Sequence, residues 1–176
     1  MRQDRFKNRV AIITGGARGI GKAIAIKMVQ EGAAVGLLDI IHPEVSRAAD
    51  ELKALGGKAL GIKVDVSRKE QVVQAVEQII AQFGRVDILV NNAGIVRPAS
   101  LEDVKDGDWD EVVGTNLKGT FFCTQAVLPF MKKARYGKII NMSSRAGLGK
   151  ELRTVYGATK AALIGVTRTW ALELAQ

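Results

Sequence analysis

The stretch Thr14-Gly15-Gly16-Ala17-Arg18-Gly19-Ile20-Gly21 stands between an apolar run, Val10-Ala11-Ile12-Ile13, and a segment with helical apolar spacing, Ala23 to Val29. A short β-branched run reads as a buried parallel strand, and glycines at the mouth of a helix let backbone N–H groups come close to a phosphate. Side chains at those positions would hold the phosphate off and keep the helix from packing on its sheet. The chain therefore opens with a strand, a phosphate loop and a helix. The spacing, Gly15-x-x-x-Gly19-x-Gly21, differs from the commoner Gly-x-Gly-x-x-Gly, so the loop alone says little about which nucleotide it serves.

The rest of the chain repeats the rhythm. Ala34 to Asp39 reads as a second strand, Pro43 to Leu55 as a helix stopped by Gly56-Gly57, and Ala59 to Val66 as a third strand. Ser67 with Glu70 predicts a capping box for a helix running to Phe83. Val86 to Val90 is a fourth strand that enters Asn91-Asn92-Ala93-Gly94, small and amide residues suited to a ligand at a strand's carboxyl end. A loop from Ile95 to Asp108, with room for one short helical turn, leads to a long helix, Trp109 to Lys133. Its interior Gly114-Thr115-Asn116-Leu117-Lys118-Gly119 predicts a kink or a packing surface. Gly137 to Ser144 is the fifth strand, Arg145 to Arg153 a polar loop, and a last helix begins near Thr154. Such alternation specifies a doubly wound α/β parallel sheet covered on both faces, with strand order 3-2-1-4-5.

Length and composition set the frame. The 176 residues, 47% of them hydrophobic, suit a single domain with one core. No apolar run is long enough for a membrane helix, and the charged start predicts a cytoplasmic protein. The lone Cys123 reads as a small buried side chain, and no metal-binding cluster is expected. The 26 basic residues against 18 acidic leave a charge of +8, yet they are scattered and lack aromatic partners, which excludes nucleic acid as the expected ligand.

Two further features carry chemistry. Asp39, ending the second strand, can accept hydrogen bonds from an adenosine ribose and repel a 2′-phosphate, which favours NAD over NADP. Arg18 pulls the other way, and a solvated strand-end carboxylate is the competing reading. Tyr156 and Lys160 stand four residues apart on one helix face, where an ammonium stabilises a phenolate for general acid/base work. By itself such a pair also fits an ordinary exposed helix face.

Together, Thr14-Gly15-x-x-x-Gly19-x-Gly21, Asp65-Val66, Asn91-Asn92-Ala93-Gly94, Asn116, Ser144 and Tyr156-x-x-x-Lys160 resemble the short-chain dehydrogenase/reductase family in order and spacing, and most of all its 3-oxoacyl-acyl-carrier-protein reductase type. The resemblance implies a Rossmann-type fold and an NAD(P)-dependent transfer of hydride between nicotinamide and a secondary alcohol or ketone. Tyr156 would be the general acid/base, Lys160 would stabilise its phenolate and hold the nicotinamide ribose, and Ser144 would fix the substrate oxygen. Ser143 is the rival for that task, and Ser144 is preferred because Ser144-Arg145-Ala146-Gly147 matches the family's Ser-x-x-Gly. Asn116 would support a water in a proton relay. Gly15, Arg18, Gly19, Ile20, Gly21, Asp39, Asp65, Val66, Asn91, Ala93 and Gly94 would surround the dinucleotide, Asp65 and Val66 at its adenine. The family's two long helices, here Trp109 to Lys133 and Thr154 to Gln176, imply a homo-oligomer. Family members continue past this helix into further strands and a substrate loop, which this sequence does not include. The alternative is a truncated member that binds dinucleotide or a full-length partner without turnover.

Overall fold

The computed structural model describes residues 4–175. Five strands, β1 (Val10–Thr14), β2 (Ala34–Asp39), β3 (Lys58–Lys63), β4 (Ile88–Asn91) and β5 (Lys138–Asn141), form one parallel sheet in the order β3-β2-β1-β4-β5. This is the order that right-handed crossovers dictate. Six helices connect and cover it: α1 (Gly19–Gln30), α2 (His42–Ala54), α3 (Lys69–Phe83), α4 (Asp106–Val113), α5 (Gly119–Ala134) and α6 (Thr154–Leu174).

Neighbouring residues of a strand point to opposite faces, so the runs Ile12-Ile13 and Leu37-Leu38 each supply both layers of the core. Ile13 and Leu37 pack with Ala25, Met28, Val45 and Leu52 of α1 and α2. Ile12 and Leu38 pack with Val72, Val76 and Ile79 of α3 and Cys123 and Val127 of α5. Burial on both faces explains why these strands read as continuous apolar runs instead of alternating ones. The Cys123 thiol is fully enclosed, and that burial pushes its pKa up to about 12. Among the described residues no helix is long and apolar enough to cross a membrane.

Three local expectations are corrected. The capping box does not form: α3 starts at Lys69, and the Ser67 hydroxyl donates to Asp65 Oδ1 at 2.7 Å. The Ser67 N–H donates to the same oxygen at 2.9 Å, while the Asp65 N–H donates to Gln71 Oε1 at 2.9 Å. The turn that Asp65 closes onto Ser67 places the serine one residue ahead of the N-cap, which is Arg68. The third and fifth strands also end before their apolar runs do, at Lys63 and Asn141; just after the fifth, the Met142 carbonyl accepts from Lys160 Nζ and the Ser143 hydroxyl donates to the Lys160 carbonyl. The long helix is two helices, joined by a π turn over Gly114–Lys118. Gly119, next to that turn, lies against Val66, where an added Cβ would come 2.8 Å from the valine Cγ2. The glycine and asparagine that disfavour a straight helix thus mark both a distortion and a packing surface.

Candidate functional site

The carboxyl ends of β1, β2 and β4 open into a cleft of about 530 Å³ lined by Gly15, Arg18, Ile20, Asp39, Asp65, Val66 and the Asn92-Ala93-Gly94 turn. At its centre is the glycine loop. Gly15 has φ +62° and Gly19 φ +55°, left-handed values that residues with a Cβ rarely adopt. Gly21 lies beneath the loop, its α-carbon against the Gly15 carbonyl, so that any side chain there would push the loop outward. At Gly19 an added Cβ would meet nothing within 4 Å, which leaves open space at the amino end of α1 where a pyrophosphate fits. The residues present thus suit a dinucleotide.

Two clips hold the loop to the neighbouring strand. The Thr14 hydroxyl accepts from the N–H groups of Asn92 and Ala93 at 3.0 and 2.9 Å. The Asn92 amide donates to the carbonyls of Thr14 and Gly15 at 2.9 and 3.1 Å. Thr14 and Asn92 were not among the site residues expected from sequence, although both belong to the motifs that revealed it. Asn91, which was, is buried below the cleft and donates to Thr124 Oγ1 and Asn141 Oδ1. Asp110 and Glu111 also line the cleft, brought across it by α4. Nothing local in the sequence signals that placement.

Gly94 connects the cleft to the Tyr156 and Lys160 helix. A Cβ on Gly94 would stand 3.3 Å from Asn116 Oδ1 and 3.6 Å from Lys160 Nζ. Lys160 is only 4% exposed, and burial pulls its pKa below the ordinary lysine value. Its ammonium donates to the Met142 carbonyl at 2.7 Å and lies 5.6 Å from the centre of the Tyr156 ring. Asn116 is fully buried in the π turn, where its Oδ1 accepts from the Ile95 N–H at 2.8 Å and its Nδ2 donates to the Ile95 carbonyl at 3.0 Å. Nδ2 also donates to Thr159 Oγ1 at 3.3 Å, and that hydroxyl donates to the Tyr156 carbonyl at 2.8 Å. The Asn116 side chain therefore anchors the loop after β4 to the first turns of α6.

The two serines differ in what they have left to give. Ser143 donates its proton to the Lys160 carbonyl at 2.7 Å. Ser144 Oγ accepts from the Ala146 N–H at 3.2 Å, which leaves its proton free for another oxygen. The turn that carries Ser144 is pressed onto α6: a Cβ on Gly157 would come 2.7 Å from the Ala146 carbonyl, and one on Gly147 3.0 Å from the Ala161 nitrogen. Glycines at these two positions set Ser144 beside the turn of helix that bears Tyr156.

The model of the short chain dehydrogenase family matches residues 9–176. The chain is 46% identical over 169 residues to the (2S)-[(R)-hydroxy(phenyl)methyl]succinyl-CoA dehydrogenase subunit BbsD of Thauera aromatica, covering 96% of this chain and 68% of that protein. It is 45% identical over 172 residues to the 3-oxoacyl-[acyl-carrier-protein] reductase FabG of Thermotoga maritima, covering 97% of this chain and 70% of that protein. Among solved structures, an NAD+-bound xylitol dehydrogenase superposes with a TM-score of 0.94 at 34% identity, covering 97% of this chain and 66% of that one. The chain thus spans about two thirds of the length of the relatives it matches.

Proposed function

Since the chain belongs to the short chain dehydrogenase family, we propose that it is, or is the cofactor-binding and catalytic part of, an NAD-dependent oxidoreductase acting on a secondary alcohol or ketone. The observation that carries this reading is the position of Lys160: a buried ammonium beside Tyr156, directly behind Gly94 at the floor of the cleft.

The nicotinamide supplies the hydride when bound. The chain's own task is to orient and to move a proton. The N–H groups around Gly15 to Gly21 would hold the pyrophosphate, and Lys160 the ribose next to the nicotinamide. Ser144 would donate its free proton to the substrate oxygen, and Tyr156 would give that oxygen a proton in reduction or take one in oxidation. Asn116 contributes by position, since its side chain is committed to Ile95 and Thr159. The preference for NAD rests on charge: Asp39, Asp65, Asp110 and Glu111 line the cleft against the single Arg18, an unfavourable setting for a 2′-phosphate. The names of the relatives place an alcohol or ketone in acyl thioesters and in a polyol, and they support the reaction class without choosing a substrate. Self-association is part of the reading. On the outer faces of α5 and α6, Phe121 is 42% and Leu172 79% exposed, and the Phe121 ring lies 6.4 Å from that of Trp170. Sedimentation at micromolar concentration should find a dimer or larger species, and a monomer alone would contradict that part.

The test is a parallel titration with NADH and NADPH, following energy transfer from Trp109 and Trp170 to the nicotinamide, then a panel of alcohols and ketones. Tighter NADH binding and turnover that falls about 10²- to 10⁴-fold in Tyr156→Phe are expected. Turnover unaffected by Tyr156→Phe would remove the tyrosine from the mechanism. Saturable binding with no turnover on the panel would leave a dinucleotide-binding protein.

A further inference from the structure

Asp39 does more in the fold than end a strand. Its Oδ2 accepts from the Ala17 N–H at 3.1 Å, and its Oδ1 from the Ile41 N–H at 3.2 Å. Ala17 is the middle of the glycine loop and is 5% exposed, while Ile41 is the residue from which α2 springs. Neither α1 nor α2 has a side-chain cap, since Arg18 and Ile41 at their N-caps make no capping hydrogen bond. The loop is otherwise held by the Gly16 N–H on the Leu38 carbonyl at 3.2 Å, the Asn92 amide on the Gly15 carbonyl at 3.1 Å and the Lys22 N–H on the Arg18 carbonyl at 3.3 Å.

A loop with glycines at left-handed φ values loses much conformational freedom when it is held in one shape. A carboxylate that takes one N–H from the loop and one from the next turn offsets that loss. It does so with charge-assisted bonds, the stronger kind. Each oxygen accepts a single bond here and keeps a free lone pair, so clamping the loop does not prevent Asp39 from meeting a ribose hydroxyl.

We infer that Asp39, besides its charge toward a 2′-phosphate, is a positioning residue for the phosphate loop, a clamp between Ala17 and Ile41, so that removing it loosens the loop in the free protein and weakens NADH binding. The inference rests on the cofactor reading of the cleft, but the clamp itself exists in the free protein and can be tested there.

Two measurements on wild type, Asp39→Ala and Asp39→Asn decide it. The first is amide hydrogen exchange at Ala17 and Ile41 by NMR, without cofactor. The clamp predicts that both amides lose about tenfold or more of their protection in Asp39→Ala, and that Asp39→Asn, with one acceptor oxygen, keeps only one of the two protected. The second is titration with NADH, which the alanine variant should bind about tenfold or more weakly than wild type does. Unchanged protection at both amides in either variant overturns the clamp. So does NADH binding in Asp39→Ala that stays at the wild-type affinity, since the loop would then be held without Asp39. Should the alanine variant not fold, the near-isosteric asparagine variant decides on the same two readouts. If wild type binds neither dinucleotide, the cofactor reading fails while the exchange comparison still judges the clamp.

Discussion

β1 and β5 lie one strand apart in the same sheet, yet they are held by different means. All five residues of β1 are buried, between β2 and β4 and beneath helices on both faces. β5 pairs only with β4, its residues alternate between exposed and half-buried, and Ile140 is 41% exposed. α6 follows the same division: its buried residues, Val155, Thr159, Lys160 and Leu163, all fall in its first half. What fixes α6 to β5 is a set of directed bonds. Lys160 reaches the Met142 carbonyl, Ser143 the Lys160 carbonyl, and Asn141 Nδ2 donates to Thr167 Oγ1 at 2.9 Å. The cofactor platform is thus stabilised by burial, which is non-directional and tolerant of small shifts. The helix that bears Tyr156 and Lys160 depends on hydrogen bonds that are correct only in one geometry.

The largest effect that would test this contrast is in the core. Ile12→Ala removes a side chain with no exposure and should cost about 2–5 kcal/mol in urea denaturation. Ile140→Ala, on the open face of β5, should cost less than about 1 kcal/mol. Equal losses would mean that β5 is as well covered as β1 in the protein in solution, by a second copy for instance.

Asp87 joins the two regions, and its removal should rank next. Its side chain is 1% exposed and accepts from the Val10 N–H at 2.9 Å, Arg9 at 2.9 Å and Arg85 at 2.8 and 2.6 Å. Burial alone would raise its pKa, but the bonds from Arg85, Val10 and Arg9 bring it below the usual carboxylate range. Arg9 also stacks 3.8 Å from the centre of the Tyr136 ring, just before β5. Asp87→Asn keeps the shape and gives up the charge, and should cost about 1–3 kcal/mol. If the regions are joined here, amides of β1 and β5 will lose exchange protection together. A loss confined to β1 would show that β5 is anchored elsewhere.

What could be read in the sequence follows the same line. The glycine loop and the first two strands were legible because short-range chemistry decides them: β-branched runs buried on both faces, and glycines at φ values other residues avoid. Helical spacing put Tyr156 and Lys160 on one helix face, where the structure has them, while their chemistry was readable only through the family resemblance. Ser67 was misread because Asp65, two residues earlier, holds it in a turn that ends one residue before the N-cap, Arg68. The fifth strand was drawn too long because Met142 and Ser143 are taken up by Lys160, far along the chain. Asp110 and Glu111 in the cleft, and the task of Thr159 between Asn116 and Tyr156, depend on how α4 and α6 cross the sheet. No local pattern carries that information.

The smallest effect expected is acid sensitivity on the cofactor side. Glu31, at the end of α1, is 4% exposed and forms a two-pronged pair with Arg5, both bonds at 2.7 Å, with Lys27 at 3.1 Å. The hydrogen bonds from Arg5 and Lys27 lower its pKa from 4.5 to about 2. A carboxyl held lower in the folded state stabilises the fold at pH values above its unfolded pKa, and that contribution disappears as pH falls through the folded value. The side chains of Arg5 and Lys27 are 51% and 53% exposed, so salt weakens the attraction and keeps the effect modest. Wild type should therefore be more stable than Glu31→Gln near neutral pH, and the gap should close between pH 4.5 and about 2. High salt should narrow it at every pH in that range. A gap that persists to pH 2 would assign the stabilisation to the shape of the side chain and not to its charge. The cofactor side would then have no acid-labile tie distinguishing it from the β5 side.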